Sequence, residues 1–80
     1  MQTLYTFQTD KGVARIDKNP KNRLFHAIFN EESLGSYPSP EQAAEELSAG
    51  CTFIPVSGVE IANLGIPNEL GNWNRALIRG

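Results

Sequence analysis

The chain has one cysteine and one histidine among its 80 residues, and these low counts exclude most metal and thiol chemistry. Cys51 has no second cysteine with which to form an internal disulfide bond, and the usual zinc sites need more cysteine and histidine ligands. Cys51 also follows the predicted end of a helix, where the negative end of the helix dipole disfavours a thiolate. We therefore expect Cys51 to be a small buried apolar side chain, and we predict no metal site and no cofactor.

Long apolar runs are also missing, and this bounds the class of protein. No segment is long and apolar enough to span a bilayer, and Met1 is not followed by the basic region and apolar core of a secretory signal. The composition, with 40% apolar and 20% charged residues, is that of a globular protein. We expect one small soluble domain over residues 1–80, located in the cytoplasm, where a single cysteine fits the reducing conditions.

Basic residues are absent from the middle of the chain. Residues 27–70 contain seven glutamates and no lysine or arginine, whereas residues 1–26 contain five basic residues against two aspartates. Such a division is typical either of a basic edge that binds nucleic acid or of a soluble surface whose acidic helix faces water. We favour the hydrated surface. The candidate nucleic-acid contacts are four basic residues of the first part: Arg15, Lys18, Lys21 and Arg23.

No arrangement of side chains in the sequence is typical of catalysis. His26 stands alone on a predicted strand, without neighbouring residues that would make it a metal ligand or a general base. Glu45 and Glu46 are adjacent on a predicted helix and so point in different directions, which does not make an acid and base pair. The glycines are not spaced as in a phosphate-binding loop. We therefore predict that the protein is not an enzyme.

The clearest local signal is a helix over residues 40–49. Ser39 is a good N-cap, Pro40 suits the first helical position, and Gly50 supplies the left-handed residue that ends many helices. Three small or apolar residues recur at helical spacing and form one narrow face that can be buried: Ala43, Ala44 and Leu47.

Four stretches before this helix are rich in β-branched and aromatic residues and are separated by turn signals. The predicted strands span residues 4–9, 12–17, 23–29 and 33–37. They predict an α+β fold, a three- or four-stranded antiparallel meander with one helix packed on one face. The helix side of the third strand is expected to hold Phe25, Ala27 and Phe29. The opposite side is then expected to hold Leu24, His26 and Ile28.

Residues 51–80 are predicted to form an irregular tail, distinct from the strands and helix of residues 1–50. The tail is apolar but has no regular period, and glycine and proline divide it into short pieces. Because its apolar residues have to be buried, we expect it to wrap the domain and to cover the sheet face that carries Leu24 and Ile28. Trp73 has two interpretations: it anchors the tail in the core, or it is exposed with Leu70 as a contact for a partner.

Three short motifs resemble a known DNA-binding pattern. They are FHAIF at 25–29, LGSY at 34–37 and PEQAA at 40–44. Residues 12–50 are similar to the three-strand-plus-helix DNA-binding domain of plant ethylene-response factors and of phage-integrase arm-binding domains. The resemblance implies that the open sheet face enters the major groove and reads bases with arginines and a tryptophan.

The positions that would hold those arginines carry other residues. On the face that the resemblance assigns to DNA we expect His26, Ile28 and Asn30, with Ala14 and Ile16 in the preceding strand. DNA affinity comes largely from the neutralisation of phosphates, which such a face supplies poorly. The resemblance therefore supports the fold more than it supports DNA binding.

The leading functional hypothesis is a non-catalytic binding or adaptor module that acts through protein contacts. Its candidate contacts for an unidentified partner protein are Leu70 and Trp73. The hypothesis depends on the lack of a catalytic arrangement, the apolar tail and the acidic helix face. The alternative is a nucleic-acid-binding domain that uses the sheet and the basic hairpin edge.

Overall fold

The computed structural model describes residues 2–76, which form one antiparallel sheet with one α-helix packed on it. Along the chain the elements are β1 (Gln2–Thr9), β2 (Gly12–Lys18), β3 (Phe25–Phe29), β4 (Glu32–Tyr37), α1 (Pro40–Ala49), two short 3-10 helices (Ile61–Asn63 and Leu70–Asn72) and β5 (Asn74–Arg75). The strand order is β4-β3-β2-β1-β5. The predicted α+β class and antiparallel meander are confirmed, and β5 was not predicted. Residues 77–80 of the predicted tail lie outside the described residues.

Asn30 links the two hairpins that begin the sheet. It adopts a φ of 49° in the β3–β4 turn, and its side chain reaches back to the β1–β2 turn. There its amide oxygen accepts from Val13 N at 3.0 Å, and its amide nitrogen donates to the Lys11 carbonyl at 3.1 Å. Gly12 has a φ of +149° and faces this amide so closely that a Cβ atom would overlap it. The two hairpins are therefore fixed relative to each other.

Helix α1 begins and ends at the predicted residues. Ser39 is extended, with a φ of −144°, and its hydroxyl accepts from Gln42 N at 3.1 Å. Pro40 occupies the first turn, where a missing N–H leaves no helical hydrogen bond unmade. Gly50 is left-handed, with a φ of 71°, and its N–H donates back to the last turn. Local sequence alone therefore sets both ends of the helix.

One core lies between the sheet and α1. The buried face of the helix consists of Ala43, Ala44 and Leu47, as predicted. It packs in one cluster with the inner residues of the sheet, which are Ala14, Ile16, Ala27, Phe29 and Leu34. The assignment of Phe25, Ala27 and Phe29 to the helix side is confirmed, since two of them are buried in this cluster and Phe25 packs against it.

The tail packs on the same side of the sheet as the helix, so the expectation that it covers Leu24 and Ile28 is wrong. Its buried residues belong to the helix-side cluster: Ile61, Ile66 and Trp73. Helix α1 packs mainly over β2, β3 and β4. The aromatic residues of β1 therefore need another cover, and the tail supplies it before β5 pairs with β1.

Candidate interaction surfaces

The sheet face opposite the helix carries a mixed set of charged and polar side chains around Ile28. In register across β2 and β3, Arg15 lies opposite Ile28 and Asp17 lies opposite His26. The expectation that Ala14 and Ile16 lie on this face is wrong, because both are fully buried on the helix side. The bulge in the β1–β2 ladder is confined to β1, so β2 alternates regularly and its arginine is on the open face.

Arg15 is held by two carboxylates. Its Nε donates to one oxygen of Asp17 at 3.3 Å and its terminal nitrogen donates to the other oxygen at 3.2 Å. A second terminal nitrogen contacts the carboxylate of Glu31. Asp17 is only 4% exposed, so the two-fold pairing with Arg15 compensates a charge that is largely removed from water. The positive charge of Arg15 is therefore offset within the domain.

His26 lies on the same face without a charged partner in hydrogen-bonding contact. Its Nδ1 is 3.2 Å from the hydroxyl oxygen of Ser33, and its Nε2 is buried with no hydrogen-bond partner among residues 2–76. In this part of the chain no group of three or more His, Cys, Asp or Glu side chains could hold a metal ion. The arrangement provides neither a paired acid and base nor a ligand set.

The four predicted nucleic-acid contacts do not lie on one surface. Lys18 extends over the Phe25 ring, with its Nζ 5.9 Å from the ring centroid, and Phe25 is on the helix side. Lys21 and Arg23 are exposed in the β2–β3 loop. Lys18 and Arg23 line a shallow cleft of about 420 Å³ with Gln2 and Pro20. The structure therefore brings Lys18 and Arg23 together, with Lys21 in the loop between them. Arg15 lies apart on the open sheet face.

Trp73, one of the two predicted partner contacts, is a core residue in this structure. It is 5% exposed, and its indole N–H donates to the Pro67 carbonyl at 2.8 Å. Its ring packs against Phe7 with the centroids 5.9 Å apart. Leu70 is half-buried and packs against the same core. The exposed Leu70–Trp73 patch that one interpretation required is therefore not formed.

A different apolar surface is exposed instead. Phe53 is 77% exposed, Ile54 81% and Val56 93%. We call residues 53–56 the apolar loop. The expectation that the apolar residues of the tail are buried is wrong for these three residues. The sequence does contain a signal for this exposure. Pro55 interrupts the apolar run of residues 53–56, and a loop between two tail segments has no strand partner that could cover both of its sides.

The backbone of the apolar loop is anchored although its side chains are exposed. Phe53 N donates to the Leu34 carbonyl at 2.9 Å, on the outer edge of β4. Val56 N donates to the two carboxylate oxygens of Glu32 at 3.0 and 3.2 Å. Pro55 is buried between these two points. The loop therefore presents its apolar side chains from a backbone with defined hydrogen bonds.

Two clefts adjoin the apolar loop. One, of about 350 Å³, lies between the loop and the first 3-10 helix, and Phe53, Ile54 and Glu60 are among its lining residues. The other, of about 420 Å³, lies between the loop and β4, and Tyr37 and Cys51 are among its lining residues. Burial raises the pKa of the Tyr37 hydroxyl, and the nearby Glu46 and Cys51 raise it further. The phenol in the second cleft therefore stays neutral to a higher pH than a free tyrosine does.

Cys51 is exposed, so the expectation that it is buried is wrong. The reason is the left-handed Gly50 before it, which turns the chain away from the helix axis. Cys51 N donates to the Glu46 carbonyl at 2.9 Å as part of that helix end. The backbone of Cys51 takes part in the turn that ends the helix, and its side chain lies at the surface.

The sequence matches no known protein family and no curated protein, and the structure matches no solved structure. The resemblance to plant ethylene-response factors and phage-integrase arm-binding domains therefore stays a prediction. Among residues 2–76 there is no helix with the length and apolar character needed to cross a bilayer.

Proposed function

We propose that this protein is a non-catalytic binding module that contacts another protein through the apolar loop. The observation that carries the proposal is the exposure of Phe53, Ile54 and Val56 next to one another, each more than three-quarters exposed. Scattered single apolar residues are normal on a protein surface, but a contiguous group is typical of an interaction site. The proposal replaces Leu70 and Trp73 with the apolar loop as the contact.

The size of the apolar loop determines what kind of contact it can make. Burial of a large apolar side chain contributes roughly 1.5–3 kcal/mol, so the three side chains together contribute roughly 4.5–9 kcal/mol before costs. The loss of translational and rotational freedom on association costs about 4–15 kcal/mol. The loop alone therefore gives a weak contact, and a stable complex also requires the partner to fill one of the adjoining clefts.

The anchored backbone supports this role. A flexible loop would lose conformational freedom on binding, and this loss would weaken the complex. Here Phe53 N and Val56 N are already bonded to Leu34 and Glu32 in the free protein. The exposed side chains are thus presented from a backbone that is already held at two points before any partner binds.

Site-specific photo-crosslinking tests the proposal. A photoreactive phenylalanine analogue replaces Phe53 in one sample and the exposed Gln8, on β1, in a matched control. Both samples are irradiated in lysate of the source cells. We expect a discrete crosslinked species from position 53 that is absent from position 8. Excess unlabelled wild-type protein should reduce the yield of this species, whereas excess F53S/I54S protein should not. Equal labelling at both positions, or none at position 53, would contradict the proposal.

Nucleic-acid binding is the second candidate, supported by the exposed Lys21 and Arg23 beside Lys18 in the β2–β3 region. It lacks the contribution of Arg15, whose charge is offset by Asp17 and Glu31. Three phosphate contacts would give a slope of about −3 for log K against log salt. Titration of labelled duplex at low salt measures this slope, with K21A/R23A as the test variant and K11A as the control. No binding at high protein concentration would remove this candidate.

For the location, we propose the cytoplasm. The one cysteine of the chain is exposed, and an exposed thiol persists in a reducing compartment. Fractionation of source cells followed by detection with an antibody to the protein tests this directly. Recovery with the secreted or membrane fraction would contradict it.

A further inference from the structure

Three glutamates lie around the apolar loop. Glu32 is bonded to the loop itself through Val56 N. Glu60 lines the cleft between the loop and the first 3-10 helix. Glu46 lies in the last turn of α1, where its carbonyl accepts from the N–H of Cys51 at 2.9 Å, and Cys51 lines the other cleft. We call these three glutamates the acidic rim.

The stretch of sequence that contains the rim has no basic residue. Residues 27–70 contain no lysine or arginine. Arg75, the next one along the chain, lies on β5 at the sheet edge opposite β4. Arg15 reaches the β3–β4 turn, but it contacts Asp17 and Glu31 and its charge is offset there. The negative charge of the rim is therefore not compensated by these basic residues.

This charge distribution restricts what can cover the apolar loop. A symmetric dimer would place one loop against the same loop of a second copy and would bring the two acidic rims together, which is unfavourable. An anionic lipid surface would be repelled in the same way. A neutral apolar segment would bury the loop but would leave the negative charge of the rim without a counter-charge. A segment with apolar and basic side chains satisfies both parts of the surface.

We propose that the apolar loop binds a cationic amphipathic segment of a partner protein, one that places apolar side chains on Phe53 and Ile54 and lysines or arginines toward the acidic rim. The inference rests on the proposed function and specifies the partner that the surface selects. Complementary charge at the edge of an interface raises the association rate and discriminates among partners more than it raises affinity. The binding is therefore expected to weaken as salt is added.

Three labelled synthetic peptides of equal length and equal leucine content test the proposal. Their polar positions are all lysine, all glutamine or all glutamate. Fluorescence anisotropy measures their affinity for the intact protein at two salt concentrations. We expect the lysine peptide to bind at least tenfold more tightly than the glutamine peptide at low salt, and the glutamate peptide to bind least. We also expect the advantage of the lysine peptide to fall as salt is added.

Variants locate the binding. F53S/I54S is expected to weaken binding of the lysine peptide at least tenfold, because it removes the apolar contact. E46Q and E60Q are each expected to weaken it about two- to fivefold, the size of an exposed charge pair. E69Q changes the net charge equally, but Glu69 precedes the second 3-10 helix and lines neither of the two clefts beside the apolar loop. It should change affinity less than twofold.

Several results would overturn the inference. Equal affinity for the lysine and glutamine peptides would show that charge does not select the partner, while the crosslink at position 53 could still establish a protein contact. Equal loss with E69Q and E60Q would assign the binding to net charge alone. If sedimentation velocity shows a dimer that F53S/I54S abolishes, the loop binds a second copy of the chain. If the protein co-sediments with phosphatidylcholine vesicles, the loop binds a membrane.

Discussion

Replacing Trp73 with alanine removes the largest side chain that the tail contributes to the core. The ring is 5% exposed, packs on Phe7 and donates to the Pro67 carbonyl. Tryptophan-to-alanine changes in cores cost about 3–5 kcal/mol through lost burial and the cavity that remains. A domain of this size has a free energy of unfolding of roughly 4–12 kcal/mol. W73A should therefore lose between about a quarter and all of its stability.

Urea denaturation followed by far-ultraviolet circular dichroism measures the loss, because the variant has no tryptophan to report by fluorescence. W73F is the matched control, since it keeps an aromatic ring beside Phe7 and removes the N–H that bonds to Pro67. We expect W73F to lose about 1–2 kcal/mol, the contribution of that hydrogen bond and part of the ring volume. A W73A protein within 1 kcal/mol of the wild type would refute the assignment of Trp73 to the core.

Truncation after Gly50 extends the same reasoning to the whole tail. It removes Ile61 and Ile66 from the core together with Trp73, and it leaves the aromatic residues of β1 without cover. We expect the truncated chain to be unfolded or aggregated, with no cooperative thermal transition. A truncated chain that melts cooperatively with the same helix content would show that the tail is an appendage.

Three further predictions concern the turns, the helix and Tyr37. S39A should lower the free energy of unfolding by about 0.5–2 kcal/mol in urea denaturation, since it removes the N-cap hydrogen bond, and S39D should restore most of it. G12A should cost about 2–4 kcal/mol, because a Cβ there overlaps the Asn30 amide and the backbone is strained; an unchanged midpoint would contradict this. The Tyr37 phenol should titrate above 10.0 in absorbance at alkaline pH, assigned with Y37F, and E46Q should lower its pKa. Because the pKa of Tyr37 is raised in the folded protein, its neutral phenol leaves the free energy of unfolding at its full value below the unfolded pKa. The free energy of unfolding then falls as pH rises through the folded pKa.

The helix and the hairpins could be predicted because their signals are local. Ser39, Pro40 and Gly50 act within one turn of the helix ends, and no distant contact is needed to place them. The turn at Gly12 was also predicted from its local residues, although the Asn30 side chain that bonds to this turn comes from the other hairpin. The assignment of Phe25, Ala27 and Phe29 to the helix side followed from the two-residue period of a strand.

The position of the tail could not be predicted because it depends on how far the helix extends across the sheet. A ten-residue helix covers three strands, and only the folded arrangement shows that β1 is the strand left for the tail. β2 alternates regularly, but the resemblance assigned Ala14 and Ile16 to the wrong face, because the sequence alone shows no register that links β2 to β3. The exposure of residues 53–56 depends on the same tail path.

The β5–β1 pairing joins two segments that are far apart in the chain. Tyr5 is opposite Arg75, and Ala76 N donates to the Leu4 carbonyl at 2.9 Å. During synthesis β1 emerges from the ribosome first, while its partner strand β5 is among the last of the described residues to be made. At roughly 5–20 residues per second, this interval lasts several seconds. For that time the outer edge of β1 and the ring of Phe7 lack the cover that Trp73 and β5 later provide, so the nascent chain is most open to aggregation or chaperone binding there.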